Sequence, residues 1–169
     1  MKSPNEIQET NPVKQMRYGP ARLDEVDRTL LGLLAQDSTK SYAELGDMVH
    51  LSAPAVHDRV KRLKRDGVIK ATVAKIDGCS VGRTLLTFVL VTTRNAVSTK
   101  RLLALGSMPE IEEIHTTAGD SSVILKVRPK DTESLEELLA KIQDVDGVEN
   151  TRSYVVLSTY IERGPDPRI

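Results

Sequence analysis

The chain has 169 residues, 39% of them hydrophobic and 28% charged, which fits one folded domain or two small ones. With no Trp, one Phe and four Tyr, stacking on single-stranded nucleic acid is excluded as the main mode of action. The formal net charge is zero, but the charges are segregated. Residues 52–75 carry seven Lys or Arg against Asp58 and Asp66, whereas residues 108–150 carry eleven Asp or Glu against four bases. A basic patch on one half and an acidic other half suggest separate tasks. Cys79 is the sole cysteine, so an intrachain disulfide is impossible and a reducing, cytoplasmic location is expected. No apolar run approaches the roughly 18 residues of a membrane span, and no signal-peptide core opens the chain. No membrane partner is therefore expected.

Residues 1–21 hold Pro4, Pro12 and Pro20 among polar residues and read as a flexible N-terminal arm. A helix-turn-helix domain follows over 22–68. Residues 23–36 (LDEVDRTLLGLLAQ) form a first helix with Leu23, Val26, Leu30, Leu33 and Leu34 on its apolar face. Asp24, Glu25 and Asp27 lie in its first turn, where the helix dipole favours anions. Residues 41–50 form a second, short helix with Ser41 and Glu44 as a capping box and Leu45, Met48 and Val49 toward the core. The stretch 52–67 (SAPAVHDRVKRLKRDG) is a third helix, capped by Ser52, with Pro54 in its first turn and Gly67 at its end. Val56, Val60 and Leu63 make one apolar stripe, and Arg59, Lys61, Arg62, Lys64 and Arg65 fall on the remaining surface. A basic third helix joined tightly to the second is the helix-turn-helix arrangement; an arbitrary three-helix bundle with a solvated cationic face is the alternative.

Residues 69–83 are read as a strand and hinge linker, since 68–76 (VIKATVAKI) alternates apolar and polar residues. A second domain is expected over 84–162. Its strands fall at 84–93, 111–118, 122–127 and 148–161, and its helices at 98–107 and 131–143, with a short tail over 163–169. The order β-α-β-β-α-β is the ferredoxin-like split unit, so the fold class is α+β: a winged helix-turn-helix followed by a ferredoxin-like domain. The first strand is apolar on both faces, with Leu86, Phe88 and Leu90 opposite Leu85, Val89 and Val91. A second copy of the chain is the simplest cover for the sheet's open face.

The stretches LDEVDRTLLGLLAQD, YAELGDMVHLSAPAVHDRVKRLKRDGVIKATVAKID, TAGDSSVILKV and TRSYVVLSTYIE together resemble the Lrp/AsnC, or feast/famine, transcriptional regulators, over about residues 23–161. The resemblance implies a DNA-binding domain joined to a regulatory (RAM) domain. It also implies dimers that assemble into octamers, and an amino acid or related small molecule bound between dimers near the Gly-Asp turn. Carried over by position, Ser52, Ala53, Pro54, Ala55, His57, Asp58, Arg59, Lys61 and Arg62 form the surface toward double-stranded DNA. Arg59 and Arg62 take phosphate or base contacts, and an Arg fork on a guanine edge is worth roughly 1–3 kcal/mol of discrimination. His57 reads equally well as a surface imidazole.

For the effector, the resemblance indicates Gly119, Asp120, Ser121 and Ser122, with Thr151 and Arg152 as donors for a carboxylate. Ser122 stands where the family commonly has a second acid, so an ammonium group would find a hydroxyl there instead of a charge. Two other readings stay open: an architectural DNA-compacting protein without effector, and a siroheme-decarboxylase-like enzyme, for which His115 is the one histidine outside the DNA-binding block. No catalytic, cofactor or metal-binding motif stands in the sequence.

Overall fold

The computed structural model describes residues 22–168, and the expected arm over 1–21 lies outside them. The described chain forms two compact units. One comprises 22–74 together with 161–168, and the other comprises 75–160.

The first unit is built from α1 (Glu25–Gln36), α2 (Tyr42–Val49) and α3 (Ala53–Arg65). Each starts on a capped residue. Asp24 and Asp27 close a capping box on α1, Ser41 and Glu44 close one on α2, and the Ser52 hydroxyl accepts from the Ala55 N–H of α3. Leu30, Leu45, Val56 and Val60 are buried together, flanked by Val26, Leu33, Leu34, Val49, Leu51 and Ile69. Met48, expected in this core, is instead half-exposed, and Gly46 is buried in its place. The reason is the turn between α2 and α3. His50 caps α2 in the left-handed conformation (φ 57°), and the Leu51 N–H returns to the Gly46 carbonyl at 2.9 Å. A Cβ on Gly46 would stand 2.4 Å from the Leu51 carbonyl oxygen, so the tight join depends on that glycine.

The strand expected over 68–76 is not formed. The Val68 and Ile69 N–H groups turn back to the Leu63 carbonyl, closing α3. The backbone beyond is exposed, and among the described residues no strand pairs with it. Alternation alone cannot make a ladder.

The second unit carries β1 (Thr87–Thr93), α4 (Ala96–Leu103), β2 (Ile111–Thr116), β3 (Val123–Val127), α5 (Thr132–Gln143) and β4 (Val148–Val155). Asn95, whose carboxamide oxygen takes the Val97 and Ser98 N–H groups, starts α4 earlier than the sequence pattern suggests. The strands form one antiparallel sheet in the order β2-β3-β1-β4, the ferredoxin-like topology. Val89, Val91, Val123, Leu125 and Val127 bury one sheet face against Leu102 of α4 and Leu135, Leu138 and Ile142 of α5. The opposite face presents Phe88, Leu90, Ile124 and Tyr154, with Tyr154 53% exposed. β4 ends at Val155 rather than near 161, because beyond the Val156 N–H to Leu86 carbonyl bond β1 offers no further partner.

Candidate nucleic-acid interface and effector groove

The apolar stripe of α3 fixes which residues face outward. Val56, Val60 and Leu63 are buried, so Ser52, Pro54, His57, Asp58, Lys61, Lys64 and Arg65 fall on the exposed side, with Ala53 and Ala55 partly covered. The His57 ring meets the edge of Tyr42 with ring centroids 5.3 Å apart, and its Nδ1 lies 3.4 Å from the Asp58 carboxylate. Both contacts hold the imidazole at the start of the helix.

The cations of α3 divide into two sets. Arg59 Nη1 donates to Asp24 Oδ2 at 2.6 Å and to Asp27 Oδ1 at 2.9 Å, and Arg62 Nη2 donates to Asp27 Oδ2 at 2.5 Å. Asp27 is 1% exposed. The Arg59 guanidinium, then the Asp27 N–H, hold the Asp24 carboxyl below its usual range. Arg59 is raised in turn by its bonds to Asp24 and Asp27. Arg65 pairs locally with Asp66 at 2.9 Å. Among the described residues, Lys61 and Lys64 carry no ion pair, and both are exposed. The two arginines expected to touch DNA are thus engaged within the domain.

In the second unit, a shallow groove runs between α4 and the turn after β2, lined by Ala96, Thr99, Lys100, Leu103, the segment 116–119 and Ser122. The structure brings Gly119 and Ser122 into it, with Asp120 and Ser121 in the adjoining turn. The Ser122 hydroxyl accepts the Thr93 N–H at 3.1 Å where the β1–β4 register shifts, which fixes its oxygen at the groove and leaves its O–H to donate. Thr117 Oγ1 donates to the Ser121 carbonyl at 2.6 Å, and the Thr99 and Thr93 hydroxyls pair at 2.7 Å. Lys100 is the charged residue of the lining. Thr151 and Arg152 lie apart from this groove, on the far edge strand β4. Thr151 accepts from Gln143 Nε2 at 3.0 Å, and Arg152 faces Leu90 on the open side of the sheet. His115 is bonded to Glu113 at 2.9 Å on the edge strand β2. Among the described residues no His, Cys, Asp and Glu group could hold a metal, and no helix is long and apolar enough to cross a membrane.

Gly46 and Lys100 enter these sites without a signal in the sequence, and Asp24 and Asp27, read there as first-turn anions, take arginine partners as well. Asp27 did leave a signal: with Leu23, Leu30 and Leu34 it falls on the inner stripe of α1, where a carboxylate needs a cationic partner.

The fold is thus a helix-turn-helix set by a glycine-tight turn, followed by a βαββαβ unit with a groove at its β2–β3 turn. Residues 23–64 match the AsnC-type helix-turn-helix domain and residues 86–166 the Lrp/AsnC ligand binding domain. The chain belongs to the Lrp/AsnC family of transcriptional regulators.

The HTH-type transcriptional regulator FL11 of Pyrococcus horikoshii is 33% identical over 140 residues, covering 83% of this chain and 93% of the relative. The regulator Rv2324 of Mycobacterium tuberculosis is 36% identical, covering 85% and 98%. Among solved structures, AsnC of E. coli superposes with a TM-score of 0.79 at 28% identity, covering 86% of this chain and 99% of its own. The regulator NMB0573 of Neisseria meningitidis, solved as its L-Met complex, gives a TM-score of 0.78 at 24% identity, covering 83% and 94%, a likeness of fold.

Proposed function

We propose that this chain reads duplex DNA with the first two turns of α3 and answers to an amino acid or related small molecule in the α4–β2 groove. One observation carries the DNA reading: the start of α3 is exposed while its apolar stripe is buried, so a polar helix end is free to enter a major groove. Ser52, Ala53, Pro54, Ala55, His57 and Asp58 supply the base-facing surface, and Lys61 and Lys64 hold phosphates. Phe88, Leu90, Ile124 and Tyr154 form an apolar face suited to a second copy. The resulting dimer would space two reading heads about one helical turn or a multiple apart, and four such dimers would make an octamer. In the groove, Lys100 is placed to hold a ligand carboxylate, with Asp120 in the turn available to an ammonium group. The protein acts by binding rather than catalysis, without a cofactor, in the cytoplasm.

The test is anisotropy titration against the duplex that the wild-type chain itself enriches from a random 24-base-pair library. Lys61→Gln should weaken binding several-fold and flatten the log–log salt slope by about 0.9. His57→Ala should relax preference at one base pair, worth roughly 1–3 kcal/mol. Unchanged affinity and slope in both variants would refute the surface. A thermal-shift panel of L-amino acids, L-Met included, tests the groove, and a monomer by light scattering at micromolar concentration refutes the dimer.

A further inference from the structure

The two acids at the start of α1 meet the two arginines of α3 in a two-by-two arrangement. Asp24 and Asp27 are three residues apart on one helix, as are Arg59 and Arg62 on the other, so each pair spans one turn. Both Asp27 oxygens are used: Oδ1 takes Arg59, and Oδ2 takes Arg62 and, at 3.3 Å, the Asp24 N–H. A carboxylate this deeply buried is tolerable only when so paired.

The apolar seam beneath α3 is non-directional and rests on a small core, so it resists separation better than rotation. Charge-assisted bonds at two points along the helix have direction and stop both roll and slide. A roll of about 20° would move a side-chain tip ~5 Å from the helix axis by about 2 Å, enough to break a base contact.

We propose that Asp27, seconded by Asp24, is the element that sets the roll of the reading helix, and that Arg59 and Arg62 are positioning residues rather than DNA contacts. This rests on the reading of α3 as the DNA-facing helix. It also makes a prediction opposite in sign to simple electrostatics. Removing an acid and freeing two arginines near DNA should tighten binding if those arginines are otherwise idle cations. If the acids position the helix, the same change weakens recognition.

Full-length Asp27→Asn and Asp24→Asn are titrated against the duplex enriched by the wild-type chain and against a scrambled duplex of the same length. Asparagine caps helices about as well as aspartate, so Asp24→Asn keeps the cap and loses the charge. The expected result is a loss of at least tenfold on the enriched duplex for Asp27→Asn and about threefold for Asp24→Asn, with scrambled-duplex affinity unchanged or higher. Arg62→Ala should lose affinity with its salt slope unchanged, whereas a phosphate contact would flatten the slope. Equal or tighter binding of the enriched duplex by variants of wild-type helicity overturns the proposal. Should Asp27→Asn not fold, Asp24→Asn and Arg62→Ala decide it alone. A wild-type chain that prefers no duplex overturns the DNA reading and this inference with it.

Discussion

The helical unit and the sheet unit hold their shapes by different means. The sheet unit buries nine apolar residues in one continuous core. Its ion pairs, such as Arg128–Glu112 at 2.5 Å and Lys126–Glu113 at 3.1 Å, have half-buried cations but leave the carboxylates open to water, which screens them. The helical unit has a core cluster of four buried residues, and beside it two ion pairs share a carboxylate sealed from water. Apolar burial is strong but unspecific about angle, whereas a buried charge pair is angularly strict and adds little net stability. The unit whose third helix is proposed to enter DNA is the one that uses the strict device.

That contrast can be broken by substitution. Asp27→Ala frees Arg62 and leaves Arg59 with Asp24 alone, and should destabilise the helical unit by about 1.5–3 kcal/mol. Leu125→Ala, in the sheet core, should lose a similar ~2–5 kcal/mol through its cavity. The two differ in how they are rescued. Replacing Asp27 and its two arginines with apolar residues (Asp27→Leu, Arg59→Met, Arg62→Leu) should restore or exceed wild-type stability while abolishing preference for the enriched duplex. Urea unfolding followed by circular dichroism, with anisotropy on the same samples, checks both halves. A triple variant that still discriminates duplexes would show that the apolar seam suffices to orient α3.

Much of this architecture was legible in the sequence, for reasons that also mark where legibility ended. The three first helices carried local signals, with caps at Asp24, Ser41 and Ser52 and a stripe at Val56, Val60 and Leu63, so their limits shifted by a residue or two. The β-α-β-β-α-β order was readable because each turn carries its own residues. The strand over 68–76 misled because pairing is a property of two segments, and alternation describes only one. The partners of Arg59 and Arg62 were hidden for a related reason. A basic helix face looks free until the opposing helix is placed, and the clue stood 32 residues earlier, in an aspartate on an apolar stripe. The Ser122 hydroxyl, read as a ligand contact, also accepts a backbone N–H that only the β1 register brings near.

Acid should sharpen the same contrast more gently. The Arg59 bond lowers the Asp24 carboxyl, bonds from Ser41 lower Glu44, and the Thr39 hydroxyl and N–H lower Asp37 to about 2. These groups close the caps of α1 and α2 and the turn between them. Because their folded values lie below the ordinary ones, the stability they contribute is complete above about pH 4.5 and is lost as pH falls toward 2. In the sheet unit, Glu113 is lowered by His115 and Lys126, and Asp131 by the Ser134 N–H, both at the periphery of a large apolar core. Amide spectra recorded down the pH scale should lose the α1 and α2 resonances before those of β1 and β3. Simultaneous loss would mean that the two units do not differ in this way.

The smallest effect concerns residues 161–168, which pack with the helical unit although they follow the sheet's final strand. Arg28 Nη1 donates to the Pro167 carbonyl at 2.8 Å, and the Pro167 ring lies over Gly32 one turn further along α1. The hook is formed in advance, since the Asp166 carboxylate holds both the Arg168 N–H, at 3.0 Å, and its guanidinium, at 2.7 Å. Deleting 161–169 removes one hydrogen bond and a small apolar contact, so the helical unit should lose about 1 kcal/mol and α1 amides should exchange faster. Arg28 takes no part in the Asp24–Asp27–Arg59–Arg62 cluster, so affinity for the enriched duplex should change less than threefold. A tenfold fall would mean that the hook helps hold α1 against α3, and the angular control assigned to the buried acids would then be shared with the chain's end.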